Sequence, residues 1–354
     1  MKRRILLNPG PVNISERVRN ALAHPDLCHR EKDYAEVQAE VCELLRELFV
    51  PGDNHAVVLL TGSGTAAVEA SVATLVPPDG TVLVVNNGVY GERIAAIARA
   101  HGIRVREAKF GWDETVDPNK VDELAWDVSM IAMVHHETTT GRINPVEEVA
   151  RSRKVPILVD SISGLGGEEI DVGSLDACVG AANKCIQGTP GVSFVLVRHE
   201  LLEQASKQPP RSVYLNLAQY GEEKIPFTPA VQSVVAFREA LRELREETIP
   251  KRIERYRSIA SRFRQGFECC GLKFYVPPEA RSNTMTTLYL PPGVTYHAVH
   301  DFMFEREFVI YRGQKALADR VFRVANMGWI PESEVDQFNQ LLKEFLFTAC
   351  ARSS

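Results

Sequence analysis

No two cysteines in this 354-residue chain are spaced as C-x-x-C, and none interleave with histidines as the ligands of a zinc site would. The seven, Cys28, Cys42, Cys178, Cys185, Cys269, Cys270 and Cys350, are odd in number, so free thiols are expected rather than a disulfide framework, and no metal site. No apolar stretch approaches the roughly 20 residues that a membrane span needs. Basic residues are not in excess: the net charge is −5, which leaves no cationic face for nucleic acid. The opening MKRRILLNPG is basic but has no long apolar region behind it, so no secretory leader is read and a cytoplasmic protein is expected. Internal repeats and low-complexity linkers are absent too.

What is present is the material of a large core. With 45% hydrophobic and 25% charged residues, the length favours two domains over one. AVVLL (56–60), TVLVV (81–85), MIAMV (130–134), PILVD (156–160), ACVGAA (177–182) and VSFVLV (192–197) read as strands, and segments of helical period such as GTAAVEASVATLV and GERIAAIARAHG separate them. Strands that are apolar throughout are buried on both faces, which implies a mostly parallel sheet covered by helices, an α/β domain. After about residue 250 the pattern changes. KRIERYRSIASRFRQGFECCG reads as one long amphipathic helix, followed by a strand TMTTLYL, a helix YHAVHDFMFEREF, a strand-like FRVANMG and a last helix from about Pro331. The expected division is an N-terminal arm over 1–15, a large domain over 16–250 and a smaller α+β domain over 251–354.

Ligands of open α/β sheets bind at the carboxyl ends of the strands, so the residues just after each apolar run carry the argument. AVVLL is followed by TGSGT and a helix, where Gly62, Ser63, Gly64 and Thr65 form either an anion site or a tight turn with a serine cap. The dinucleotide fingerprint G-x-G-x-x-G is incomplete, with Ala67 at the third glycine position. MIAMV is followed by HHETTTG, and PILV ends in Asp160, a carboxylate that burial would make costly without a donating partner. ACVGAA runs into Asn183 and Lys184, inside GAANKCIQGTPG. Lysine at such a place either faces solvent or is held in a cavity for chemistry. One ligand asks for all of these together: a phosphate for the glycine loop, a ring nitrogen for Asp160 and an aldehyde for Lys184, which is pyridoxal 5′-phosphate. A desolvated lysine has a lowered pKa and serves as a Schiff-base nucleophile.

LLNPGPV, LLTGSGTAAVEA, NNGVYGER, IAMVHHETTTGRINP, LVDSISGLGG and ANKCIQGTPG, in this order, resemble the 2-aminoethylphosphonate:pyruvate transaminases, in the fold-type I branch that also holds the alanine:glyoxylate transaminases. The resemblance runs over nearly the whole chain, and HETTTG and ANKCIQG are its most specific parts. It implies a mostly parallel seven-stranded sheet sandwiched by helices, and a homodimer whose sites are shared between subunits. It also assigns roles. Lys184 is the Schiff-base lysine and proton carrier, and Asp160 the partner of the pyridine nitrogen. Ser63, Gly64 and Thr65 form the phosphate cup, Tyr90 stacks on the ring, and Thr138 bonds the 3-oxygen, with Thr139 and Thr140 close by. Asn183 touches the phosphate, and Thr228 reaches it from the other subunit. Arg323, in FRVANMG, binds the substrate anion, its alternative being a surface salt bridge.

One stretch departs from the pattern. LCHREKDY (27–34) is more basic than the resemblance leads one to expect, so His29 and Arg30 either add a second anion contact or face water. The implied reaction moves the amino group of 2-aminoethylphosphonate to pyruvate, or runs in reverse in a biosynthetic setting. The alternatives are transamination of a related aminophosphonate or small amino acid, lyase or desulfurase chemistry with Cys185 as acceptor, and a cofactor-free scaffold. Cys185 adjoins the anchored Lys184 rather than lying on a mobile loop, which counts against the desulfurase.

Overall fold

The computed structural model describes residues 4–221 and 224–351. Met1 to Arg3 of the expected arm and the last three residues of the expected small domain fall outside this set, as does the side chain of Cys350.

Seven strands form the central sheet: β1 (His55–Thr61), β2 (Thr81–Asn86), β3 (Arg104–Lys109), β4 (Met130–Val134), β5 (Ile157–Asp160), β6 (Ala177–Ala181) and β7 (Val192–Arg198). Their order across the sheet is β1-β7-β6-β5-β4-β2-β3. All run parallel except β7, which lies antiparallel between β1 and β6. Consecutive side chains of a strand point to opposite faces, and here both faces are covered. Val82, Val84, Met130, Ala132, Leu158 and Val179 pack in one core cluster, while Leu83, Val85, Ile131, Met133, Val159 and Cys178 pack in another. That double burial is why these strands read as unbroken apolar runs.

The strand of the central sheet that the sequence reading missed is β3, RVREAK. It pairs only with β2 at the sheet edge, and Ala108 alone among its residues is buried. An edge strand with one wet face has no need of apolar continuity.

Helices α1 (Lys32–Phe49), α2 (Gly64–Leu75), α3 (Val89–Ala100) and α4 (Val231–Glu247) cover the sheet. In α1 the residues Tyr34, Val37, Val41, Leu44 and Leu45 are buried, a stripe of helical period against the sheet. Thr248 breaks the path from α4 at a φ of 72°, and Pro250 opens α5 (Ile249–Cys269). Then come β8 (Met285–Tyr289), α6 (Tyr296–Glu305), β9 (Tyr311–Arg312), β10 (Val321–Ala325) and α7 (Glu332–Ala351). The three strands make a separate antiparallel sheet in the order β8-β10-β9. The N-terminal arm joins this part of the molecule, since Ile5–Leu6 pairs in parallel with Phe308–Val309. No helix among the described residues is long and apolar enough to cross a membrane.

A trio of rings sits in a third core cluster, beside the small sheet: Phe338 of α7 is fully buried, with ring centroids 5.5 Å from Phe263 and 5.4 Å from Phe308. Phe338→Ala is expected to cost about 3–5 kcal/mol, the usual penalty for emptying a phenylalanine site. Urea unfolding followed by circular dichroism measures it, and a loss below about 1 kcal/mol would show that this core does not hold the unit.

Candidate active site

Loops leaving the carboxyl ends of β1, β2, β4, β5 and β6 converge on a cavity of about 180 Å³. It is lined by Ser63, Gly64, Thr65, Tyr90, Asp160, Asn183 and Lys184 from the sequence reading, joined by Arg93 and His136.

Lys184 sits in a turn fastened on several sides. Gln187 N donates to the Lys184 carbonyl at 2.9 Å and Gly188 N to that of Ala182 at 2.8 Å. The next carbonyl, of Cys185, accepts from Arg252 Nη1 and from the Tyr256 hydroxyl, each at 3.0 Å and both on α5. The side chain then enters the cavity, where Nζ donates to the Pro9 carbonyl of the arm. Gly10 lies so near that a Cβ there would stand 2.6 Å from Nζ, and its φ of +99° suits glycine. Burial lowers the lysine pKa to about 8, Asp160 opposing the shift and Arg323 and Arg93 adding to it.

Asp160 is buried at the end of β5, and burial raises its carboxyl to about 6. It accepts one hydrogen bond, from Ile162 N to Oδ1 at 3.0 Å, and no ion pair reaches it among the described residues. The expected donating partner is therefore not supplied in full by the chain; Arg93 and Lys184 act on it only through space. At the other wall, α2 begins at Ser63, whose hydroxyl makes no capping bond. A side chain at Gly64 would collide with Ile162, at 2.5 Å from its Cδ1, so the helix start stays open as a cradle.

Tyr90 stands in the first turn of α3, and HETTTG holds it there. The buried Glu137 carboxylate accepts from Tyr90 N at 3.2 Å and Thr139 N at 3.0 Å, while Thr139 Oγ1 accepts from Val89 N at 3.0 Å. Burial lifts Glu137 to about 7. Among the three threonines, Thr139 and Thr140 spend their hydroxyls on Glu137. Thr138 Oγ1 is buried with no partner. His136 donates from Nδ1 to the Ser163 carbonyl at 3.1 Å, and burial pulls it down to about 4, so it is neutral near pH 7. Its Nε2 is a second buried polar atom without a partner.

Arg323 is not in a surface salt bridge. It is buried in β10, donates from Nη1 to the Thr138 carbonyl at 2.7 Å and from Nε and Nη2 to the Arg312 carbonyl at 3.0 and 2.8 Å. No carboxylate pairs with it among the described residues. Neither Arg323 nor Thr138 lines the Lys184 cavity itself, and two further candidates lie apart. Thr228 is exposed, beside a separate small pocket, and Arg30 is exposed in the turn before α1; neither lines the Lys184 cavity. Cys185 is buried, its thiol donating to the Ser163 carbonyl at 3.3 Å and pushed up to about 12, which removes it as a nucleophile.

Arg93, His136 and Glu137 were not singled out from the sequence. The signal for Arg93 was its spacing three residues beyond Tyr90 on one helix face. His136 and Glu137 stand inside a quoted motif whose threonines drew the attention.

The cavity offers what pyridoxal phosphate asks for: an amine of lowered pKa, a buried carboxylate with an unfilled oxygen, an open helix start and an orphaned imidazole nitrogen, His136 Nε2, on the wall. A model of the class-V aminotransferase family matches residues 15–330. A 2-aminoethylphosphonate–pyruvate transaminase of Syntrophobacter fumaroxidans is 36% identical, over 96% of this chain and 95% of its own. Among solved structures, the aspartate aminotransferase of Thermus thermophilus is 30% identical with a TM-score of 0.89, covering 98% of this chain and 99% of its own. The ureidoglycine–glyoxylate aminotransferase of Bacillus subtilis is 25% identical with a TM-score of 0.93, covering 99% and 94%. With this fold and this buried lysine, the chain belongs to the class-V aminotransferases and is a pyridoxal phosphate-dependent enzyme.

Proposed function

We propose that the chain is a 2-aminoethylphosphonate:pyruvate transaminase, moving the amino group of the phosphonate to pyruvate to give phosphonoacetaldehyde and alanine, or the reverse. The observation that carries the substrate class is Arg323, a buried guanidinium satisfied only by neutral carbonyls. A buried cation without a counter-charge is costly, and an anionic substrate supplies one. The guanidinium fork accepts a phosphonate or a carboxylate, so one site serves both half-reactions. The 36% identical relative named for this reaction supports the same choice.

Bound pyridoxal phosphate supplies an electron sink for the pair of electrons left when the donor's α-carbon loses a proton. Lys184 would hold the cofactor and, its amine free, would take that proton on Nζ; its lowered pKa leaves a useful share of free amine near pH 7 to 8. Asp160 would hold the ring nitrogen, Tyr90 the ring and Thr138 the 3-oxygen. Ser63, Gly64 and Thr65 would hold the phosphate, with Asn183 beside them. Thr228, exposed in the single chain, is assigned to the other subunit's phosphate, which makes the active form a homodimer. We divide the subunit into an arm (1–15), a large domain (16–250) that carries the cofactor and a small domain (251–354) that carries Arg323.

Spectral titration of the purified enzyme with single amino donors tests the substrate. 2-Aminoethylphosphonate and alanine are expected to bleach the cofactor band, and serine and aspartate to leave it; bleaching by serine or aspartate with no response to the phosphonate would overturn the proposal. Arg323→Ala is expected to raise KM in both half-reactions, roughly tenfold to a hundredfold, the worth of a charge-assisted contact. Arg30→Ala, at an exposed residue outside the cavity, is expected to change either KM by less than about twofold, measured in the same assays.

Asp160→Asn separates the cofactor-free protein from the loaded enzyme. Because the folded carboxyl is raised to about 6 from an ordinary 3.8, ionising it costs the fold nothing well below pH 3.8, progressively more as pH rises, and the full amount above pH 6. The apo variant is expected to be more stable than the parent above pH 6, by up to about 3 kcal/mol, with the difference vanishing below about pH 3. The loaded variant is expected to lose kcat far more than substrate affinity. Thermal melts across pH and steady-state rates measure the two effects, and near-normal kcat would remove the assigned role.

A further inference from the structure

A phosphate monoester brings close to two negative charges near pH 7, whereas an open helix start supplies only about half a positive charge. Hydroxyls and backbone N–H groups at Ser63, Gly64 and Thr65 add donors but no charge. Two cationic side chains line the cavity, Lys184 and Arg93, and the lysine is committed to covalent work. The cup so far described is therefore short of charge, and Arg93 is the residue placed to supply it.

Arg93 lies in α3, one turn beyond Tyr90, and its Nη1 donates to Thr65 Oγ1 at 3.1 Å, across from α3 to the first turn of α2. A hydroxyl that accepts from a guanidinium keeps its own hydrogen to offer to an anion, so the bond orients Thr65 as a donor. The guanidinium carbon stands 4.6 Å from the centroid of the Tyr90 ring, which fixes the arginine's plane between the two helices. No carboxylate pairs with Arg93 among the described residues. Its neighbour Glu92 is taken by Lys315, and Glu137, which closes the start of α3, accepts from backbone N–H groups and from Thr139. The two helix starts thus differ in use: that of α3 is filled by a side-chain carboxylate, and that of α2 is open with a cation standing over it.

We infer that Arg93 is a phosphate-binding residue of this enzyme, completing a cup of Ser63, Gly64, Thr65 and one guanidinium for the dianionic ester of the cofactor. The arrangement rests on pyridoxal phosphate dependence and not on the choice of phosphonate as substrate. A ligand anchored there by both charge and hydrogen bonds distinguishes the phosphorylated cofactor from its unphosphorylated form.

The test is equilibrium binding to apoenzyme, read by quenching of protein fluorescence, for pyridoxal 5′-phosphate and for pyridoxal, in the parent, Arg93→Ala and Arg93→Lys. Arg93→Ala is expected to weaken pyridoxal 5′-phosphate roughly tenfold to a hundredfold and pyridoxal by less than about twofold, with partial recovery in Arg93→Lys. Inorganic phosphate is expected to compete with the cofactor in the parent and to lose most of that ability in Arg93→Ala. Equal weakening of both pyridoxal forms would show that the arginine only props Tyr90 and would overturn the inference. Unchanged affinity for the phosphorylated form, with or without a raised KM for 2-aminoethylphosphonate, would overturn it as well, the second result moving the arginine to the substrate.

Discussion

A lysine and an aspartate are kept out of water in one cavity without being allowed to neutralise each other, and most of the molecule serves that arrangement. Burial lowers Lys184 to about 8 and raises Asp160 to about 6, so each charge is destabilised. An ion pair between them would relieve the strain and leave nothing for a ligand. Asp160 ends β5 while Lys184 lies in the turn three residues past the end of β6, and separate restraints hold them: the Lys184 amine reaches to Pro9, and Asp160 takes an N–H from its own turn. The cost is distributed over two covered sheet faces and a clamp from α5 onto the Cys185 carbonyl.

That clamp joins the Lys184 turn to α5. Tyr256 donates to the Cys185 carbonyl and accepts from Gln187 at 2.7 Å and from Gly328 N at 3.2 Å. One hydroxyl therefore contacts the turn that carries Lys184 and the segment that follows Arg323. On the opposite side, Arg323 grips the Thr138 carbonyl, within the loop whose Glu137 positions Tyr90. Arg323 and Tyr90 are thus set relative to one another by buried polar contacts, which are geometrically stricter than apolar packing.

The family resemblance and the cavity address different levels. Class-V membership and cofactor dependence follow from a match across residues 15–330 and from relatives that cover nearly the whole chain. Solved structures with similar backbones carry names for aspartate and for ureidoglycine and glyoxylate, so the backbone alone does not select a substrate. Selection falls to charge and shape at Arg323 and the cavity wall. The buried Cys185 thiol, pushed up to about 12, sets aside the sulfur-transfer alternative on chemistry rather than on likeness.

Apolar runs and what stands after them were legible without coordinates. TVLVV, MIAMV and PILVD announce strands because both of their faces are buried, and the ends of AVVLL, PILVD and ACVGAA then point to Ser63, Asp160 and Lys184 in turn. The polar edge strand RVREAK was not legible, since one wet face removes the apolar signal, and neither was the antiparallel direction of β7. Arg323 was legible as a cation but not as a buried one. Thr138 could not be separated from Thr139 and Thr140 until hydrogen bonds showed which hydroxyls were spent. Arg93 and His136 emerged only in three dimensions, because lacking a counter-charge, as Arg93 does, or keeping one nitrogen unpaired, as His136 does, is a property of neighbours that arrive from elsewhere in the chain. Local sequence determined which residue types stand at each strand end; the tertiary structure decided which of their charges and hydroxyls were left unpaired, because only packing removes the water that would otherwise have paired them all.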